Sequence, residues 1–373
     1  MKLSSAVLAA ILLAQPGIAH PGQSQDELQN EIQQRAEYLS THKRTLADCA
    51  DKLKARGNDA ILQARRSGKL ENLRKKRSID TSLINARSFE DVLNKDHHSN
   101  LTVTPETDDP SIIFTGNASC MLTPETTEGP YWVSGELVRE NIVETQEGVP
   151  LTLDIQVVDV NNCEPIPQVY TEIWHCNSTG VYSGVVARGN GNQADASNLD
   201  NTALRGIQLT DDDGVVAFET LFPGHYTGRA THIHVLTHLD ATLLPNNTVT
   251  GGNITHVGQF FFDQKLITLV EKEEVYASNT QTLTTNVQDG IFSQEAKNVD
   301  PVVEYVLLGD NVSEGLFGWI AFGVDTSASR NVTPAVYLTE NGGVENPNAG
   351  AGGPGGPPPG FPTSPRPTTT TTV

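Results

Sequence analysis

Phe222-Pro-Gly-His-Tyr-Thr-Gly-Arg-Ala-Thr-His-Ile-His-Val-Leu236 brings a Tyr, an Arg and two His into nine residues, Tyr226 to His234. Its second half, Ala230-Thr-His-Ile-His-Val-Leu236, reads as a β-strand. Strand side chains alternate between faces, so His232 and His234 leave one face and Ile233 points the other way, toward a core. Two imidazoles on one face, with the Tyr226 phenol just upstream, suit a metal ion.

Working outward, the same two-residue period recurs. Leu151-Thr-Leu-Asp-Ile-Gln-Val-Val158 alternates, and Val169 to His175, Val215 to Glu219, Gln259 to Phe262 and Phe317 to Val324 continue the series. Asp211-Asp-Asp-Gly214 is a turn between two of these runs. Short strands punctuated by turns predict a mainly β chain, an antiparallel β-sandwich over residues 121–340.

The flanks differ in character. Lys2, the apolar run Ala6 to Ala14 and Gly17-Ile-Ala19 read as a secretory signal peptide over residues 1–19. Residues 20–77 read as a helical region. Ser24-Gln-Asp-Glu27 has the pattern of a capping box, Ile32, Leu39, Leu46 and Leu53 recur every seven residues, and Gly57 marks a break. That apolar stripe packs either on its own domain or on a second copy, as a homodimer through the N-terminal helix. Arg74-Lys-Lys-Arg77 closes the region, as a processing site or as a basic helix end. Residues 78–120 read as a wrapping linker. Residues 341–373, rich in Gly, Pro and Thr, form a disordered tail that cannot build a core.

Seven Asn-x-Ser/Thr triplets, at Asn100, Asn117, Asn177, Asn246, Asn253, Asn311 and Asn331, are candidate N-glycosylation sites and fit a secreted, extracellular protein. In that setting Cys49, Cys120, Cys163 and Cys176 predict two disulfides with three pairings open. Cys163 and Cys176 end one turn-plus-strand unit, which favours Cys120 with Cys176 and Cys49 with Cys163. Charge is uneven: residues 88–373 carry 10 Lys and Arg against 36 Asp and Glu. That surface argues against nucleic acid or an anionic membrane as partner.

A second tyrosine joins the opening stretch. Trp174-His-Cys-Asn-Ser-Thr-Gly-Val-Tyr182 runs from a strand into a Gly turn. Leu204-Arg-Gly206, Asp213-Gly214, Pro223-Gly-His-Tyr226 and Arg229-Ala-Thr-His-Ile-His234 follow, with Thr127-Glu-Gly-Pro-Tyr-Trp132 ahead of the first core strand. Over roughly residues 120–265 this order resembles the intradiol ring-cleavage dioxygenases, non-haem iron enzymes that open catechols. The resemblance implies Fe(III) held by Tyr182, Tyr226, His232 and His234. It implies a small aromatic diol and O2 as partners, and cleavage between the two hydroxyl-bearing carbons to a muconate-type diacid. By the same resemblance Tyr226 accepts a substrate proton, Arg229 stabilises developing negative charge beside the ring, and Gln259 assists them. Tyr131 and Trp132 would line the substrate pocket. The residue types make sense for iron(III): a phenol titrates near about 10 in water, and a trivalent cation holds it as phenolate at ordinary pH. Only two residues separate Tyr226 from Arg229, where many relatives have a longer insert, which predicts an open mouth over the metal. The alternative is a non-catalytic secreted β-sandwich module binding metal, phenolics or cell-wall sugars through the same pocket.

Overall fold

The computed structural model describes residues 46–79 and 131–349, except 193, 297 and 298. The expected signal peptide, the helix start at Ser24, the linker beyond Ile79, Cys120, Asn100 and Asn117 lie outside the described residues.

The alternating run of residues 151–158 forms β2 (Pro150–Asp159). Its apolar positions Leu151, Leu153, Ile155 and Val157 enter the main core. Its polar positions Thr152, Asp154 and Gln156 are equally buried, because a helix covers them. That helix is α2 (Asn58–Lys76), preceded by α1 (Ala50–Ala55). Gly57 separates the two in the left-handed region (φ +73°), so the break falls at the expected residue. Asn58, Leu62, Arg66, Leu70 and Leu73 form one buried stripe along α2. Asn58 exchanges two amide hydrogen bonds with Gln156, at 3.0 and 3.2 Å, and Arg66 Nε donates to Asp154 at 3.0 Å. Leu70 and Leu73 pack on Val306, Phe317 and Trp319. Leu46 and Leu53, two of the heptad residues, pack on Val158 and Ala321 around the Cys49–Cys163 disulfide. The described part of the helical region therefore spends its apolar face on its own domain. The basic run is docked as well: Arg74 donates to the carbonyls of Leu307 and Leu308, and Arg77 to that of Glu314.

Two sheets enclose the core. One contains β2 with β3 (Glu164–Pro165), β6 (Val215–Leu221), β11 (Glu304–Leu307) and β12 (Leu316–Val324). The other has the order β10 (Asn253–Phe261), β7 (His232–Leu239), β4 (Tyr170–Trp174), β5 (Arg205–Leu209), antiparallel throughout. The expected antiparallel sandwich needs one change: β2 and β12 pair in parallel over nine residue pairs, Leu151 with Leu316 to Asp159 with Val324. Both strands are buried throughout, apart from Pro150 at the start of β2, as parallel pairs usually are. A third, small sheet joins β1 (Val133–Ser134) to β13 (Val336–Thr339) in parallel and β13 to β14 (Gly342–Glu345), and β8 (Thr242–Leu243) pairs with β9 (Val249–Thr250) as a short antiparallel ribbon. β14 lies inside the segment read as tail. Its two glycines hide the strand pattern, yet they let it pass close to Asp200 and Leu199, where a Cβ would collide.

Ile233 and Val235 of β7 enter the main core between the sheets. His232 and His234 leave the opposite face of the same strand, as the two-residue period requires. The metal-type residues and α2 thus occupy opposite outer faces of the sandwich.

Candidate functional site

Tyr182 and Tyr226 sit on two loops that touch backbone to backbone. The first loop follows β4. Its Asn177 side chain accepts hydrogen bonds from the backbone of Thr179 and Val181, closing the turn. Gly180 has φ +82°, and a Cβ there would strike the His225 carbonyl. Gly224 on the second loop would in turn strike the carbonyls of Asn177 and Ser178. The Gly in each motif is therefore what lets the two tyrosines meet. Two asparagines then lock Tyr182: its N–H donates to Asn190 Oδ1 at 2.7 Å, and its carbonyl accepts from Asn190 and Asn198, both at 2.8 Å. Tyr226 opens a tight turn closed by Arg229 N–H on the Tyr226 carbonyl at 3.3 Å. A segment from Asn279 to Thr284 braces that turn, with Gly228 N–H on Thr284 Oγ1 at 2.9 Å and Asn279 Nδ2 on the His225 carbonyl at 2.8 Å.

Four donor atoms converge. His232 Nε2 lies 3.2 Å from Tyr182 Oη, 3.3 Å from Tyr226 Oη and 3.1 Å from His234 Nε2. Donors bound about 2 Å from one ion stand about 3 Å apart, so this spacing fits a shared metal. His232 Nδ1–H donates to the Ala230 carbonyl at 2.6 Å, which fixes the tautomer and turns the Nε2 lone pair toward the other donors. Burial pushes the Tyr182 phenol well above its usual value, helped by Tyr226 and opposed by Arg229. Tyr226 is also raised by burial, against the pull of Arg229. Phenols this deeply buried ionise only beside a strong cation, and two phenolates with two imidazoles are a hard donor set that suits iron(III). Among the described residues no group of three or more His, Cys, Asp and Glu could hold a metal, so a two-His, one-carboxylate centre has no counterpart there.

Arg229, fully buried, is held on two edges. Its Nε donates to Asp289 Oδ2 at 3.0 Å and its Nη2 to Gln259 Oε1. Gln259 lies directly across from His234 in the β7–β10 register. Tyr131 stacks obliquely near Tyr182, centroids 5.0 Å apart, and its hydroxyl has no partner among the described residues. Trp132 turns its indole N–H to Glu172 at 3.0 Å, a scaffold contact. The four donor residues are at most 3 % exposed, while Thr227, in the short turn between Tyr226 and Arg229, is exposed.

Of the two favoured cysteine pairings, the one between Cys49 and Cys163 is present. Cys49 and Cys163 are bonded, 5.1 Å between Cα atoms. Cys176 is a free buried thiol facing the Gly224 carbonyl at 3.5 Å, so the pairing expected with Cys120 is not formed. The tight contact of the two tyrosine loops encloses that thiol.

Sequence reading missed Asp289, Asn190 and Asn198. The two asparagines stand in Gly-Asn-Gly-Asn192 and Ala-Ser-Asn198, which look like ordinary loop. A search for polar residues able to anchor the Tyr182 turn would have been the way to find them.

A family model described as Dioxygenase matches residues 127–243, which include Tyr131, Tyr182, Tyr226, Arg229, His232 and His234. The chain is 32 % identical to an intradiol ring-cleavage dioxygenase from Tetranychus urticae, covering 57 % of this chain and 98 % of that one, with a TM-score of 0.47. It is 28 % identical over 142 residues to catechol 1,2-dioxygenase 1 of Acinetobacter lwoffii, and 41 % identical over 66 residues to a catechol 1,2-dioxygenase of Pseudomonas sp. (strain EST1001). The chain spans 43 % and 22 % of the lengths of those two enzymes.

Proposed function

The chain belongs to the intradiol ring-cleavage dioxygenase family, and from that premise we propose that it is an iron(III) dioxygenase opening catechol-type rings between the two hydroxyl-bearing carbons. The observation that carries the proposal is the convergence of Tyr182, Tyr226, His232 and His234 on one point. These four residues would hold the metal. Bound there, iron(III) supplies the Lewis acidity and redox chemistry that make an electron-rich diol reactive toward dioxygen.

The protein's own groups do the rest. Tyr226 sits on a two-residue turn rather than in a strand, so its phenol is the donor best able to swing away and take a proton from an incoming diol. Tyr182, locked by Asn190 and Asn198, stays in place. Arg229 is preorganised by Asp289 and Gln259, so its charge can face negative charge developing on the ring without reorganisation. Tyr131 offers a hydroxyl at the same site.

The proposal extends to export. The signal-like residues 1–19 and the Cys49–Cys163 disulfide support an oxidising compartment. No helix among the described residues is long and apolar enough to cross a membrane.

The test is direct. Purified protein should be red-brown from tyrosinate-to-iron charge transfer, change colour when catechol is added without oxygen, and consume O2 with release of a ring-opened diacid. Protein that stays colourless after iron loading, with no metal bound, would overturn the proposal and leave a non-catalytic binding module. Arg229→Ala should keep the colour and slow turnover.

A further inference from the structure

Asp289 stands apart from the matched motifs, 46 residues beyond the end of the family match at residue 243. It is 1 % exposed, and its carboxylate accepts four N–H groups. Oδ2 accepts Arg229 Nε at 3.0 Å and the Ala230 N–H at 2.7 Å. Oδ1 accepts the N–H groups of Ile291 at 2.7 Å and Phe292 at 3.1 Å, capping the short helix Gly290–Glu295. The peptide unit that follows Ala230 matters as well, because the Ala230 carbonyl accepts His232 Nδ1–H at 2.6 Å. One carboxylate therefore grips the Arg229 guanidinium and the residue whose carbonyl orients His232.

The element carrying Asp289 is itself seated against this strand. Ile291 packs with Ala230 and Phe261. Phe292 meets Phe261 edge-on at 5.2 Å, and Phe261 lies 5.9 Å from the His232 ring. The carboxylate is thus held rigidly enough to hold others. Gln259 fixes a second edge of the guanidinium, and Asp289 adds a compensating charge.

We propose that Asp289 is a positioning residue of the ring-cleavage site, aiming Arg229 at the substrate and, through Ala230, fixing His232 toward the metal. This rests on the ring-cleavage reading. Outer partners of metal ligands change metal affinity or activity by about 10- to 100-fold when removed.

The experiment uses Asp289→Ser and Asp289→Asn in the full chain. Serine keeps a helix-capping oxygen but is too short to hold Arg229 as well, so it separates the two roles and guards against a variant that fails to fold. Each variant is made with Arg229 and with Arg229→Ala. Read out are kcat and KM for catechol, and iron affinity from titration of the charge-transfer band. Expected is a fall in kcat of about 10- to 100-fold, with KM changed far less. In the Arg229→Ala background the same substitutions should leave kcat almost unmoved, since residues acting through one contact are non-additive. Iron affinity should fall in both backgrounds, through Ala230 and His232. Wild-type kcat and iron affinity in Asp289→Ser, or an equal kcat loss with and without Arg229, would overturn the proposal. A wild-type chain that binds iron but cleaves no catechol would sink the ring-cleavage reading instead, and unchanged iron affinity in the variants would then still refute the role of Asp289.

Discussion

The indole of Trp174 lies flat against the imidazole of His234, ring centroids 4.8 Å apart and planes 3° from parallel. The two residues are direct cross-strand partners on β4 and β7, so the stack follows from register. Both are buried. His232 is oriented by a hydrogen bond, whereas His234 has an aromatic wall along one face of its ring.

Trp174→Leu should therefore loosen His234 more than it disturbs the sheet. We expect iron affinity to fall about tenfold, as for other outer partners of a ligand, with a stability loss of about 3 kcal/mol for the lost ring. Iron titration and thermal unfolding of the metal-free protein measure the two separately. Unchanged affinity would mean that the stack does not set the His234 geometry.

What the sequence discloses here depends on how local the signal is. The two-residue period in β7 was enough to put His232 and His234 on one face, and the Gly-containing turns marked where each tyrosine sits. The partner of a strand is not written in its period, which is why the parallel β2–β12 pairing could not be read. Asp289 was hidden for a related reason. Its sequence neighbours announce a helix cap, and the Arg229 contact spans 60 positions. The polar positions of β2 are a third case: Thr152, Asp154 and Gln156 look like a wet face, and only the docked helix shows them to be dry.

That docked helix yields a second prediction. Arg66 is 3 % exposed and Asp154 fully buried, so removing the Asp154 charge takes the hydrogen-bonded carboxylate from a buried guanidinium and leaves Glu304 as its acidic neighbour. Asp154→Asn should cost about 3–5 kcal/mol, whereas replacing both residues by apolar groups of similar size should restore most of it. Denaturant unfolding of the single and double variants decides this. Because α2 lies on the outer face opposite the four donors, iron affinity should not change in any of them.

The pH profile of stability carries opposing contributions. Burial raises Glu136 from 4.5 to about 8, although Arg205 opposes it from 3.8 Å, too far to donate a hydrogen bond. Burial raises Glu304 from 4.5 to about 7 against Arg66. These carboxyls bind protons more tightly when folded, so their contribution is complete below pH 4.5 and is lost as pH rises to about 7 or 8. Burial lowers His175 from 6.5 to about 4, and lowers His256 from 6.5 to about 3. Their contribution is complete above pH 6.5 and is lost as pH falls. Between 4.5 and 6.5 the two pairs cancel. The melting temperature of the metal-free protein should thus form a plateau there and drop on both sides. Glu136→Gln should soften the alkaline drop; an unaltered profile would remove Glu136 as its cause.

The seven glycosylation triplets should not behave alike. Asn177 spends its side chain on the turn that sets Tyr182, accepting from Thr179 and Val181 and donating to Gln146. A glycan on that amide would break these bonds. Asn246, Asn253 and Asn331 are exposed. Arg330, next to Asn331, donates its N–H to the carbonyl of Ile254, next to Asn253, at 2.8 Å, so Asn253 and Asn331 are neighbours. Asn253 opens β10, far from Gln259 and the site at the other end of that strand. Protein expressed through a secretory pathway should carry glycans at these exposed positions, with Asn177 bare. Glycopeptide mass mapping reads this out, and enzymatic removal of the glycans should leave turnover unchanged. A glycan found on Asn177 in active protein would contradict the role given to its side chain in holding the Tyr182 turn.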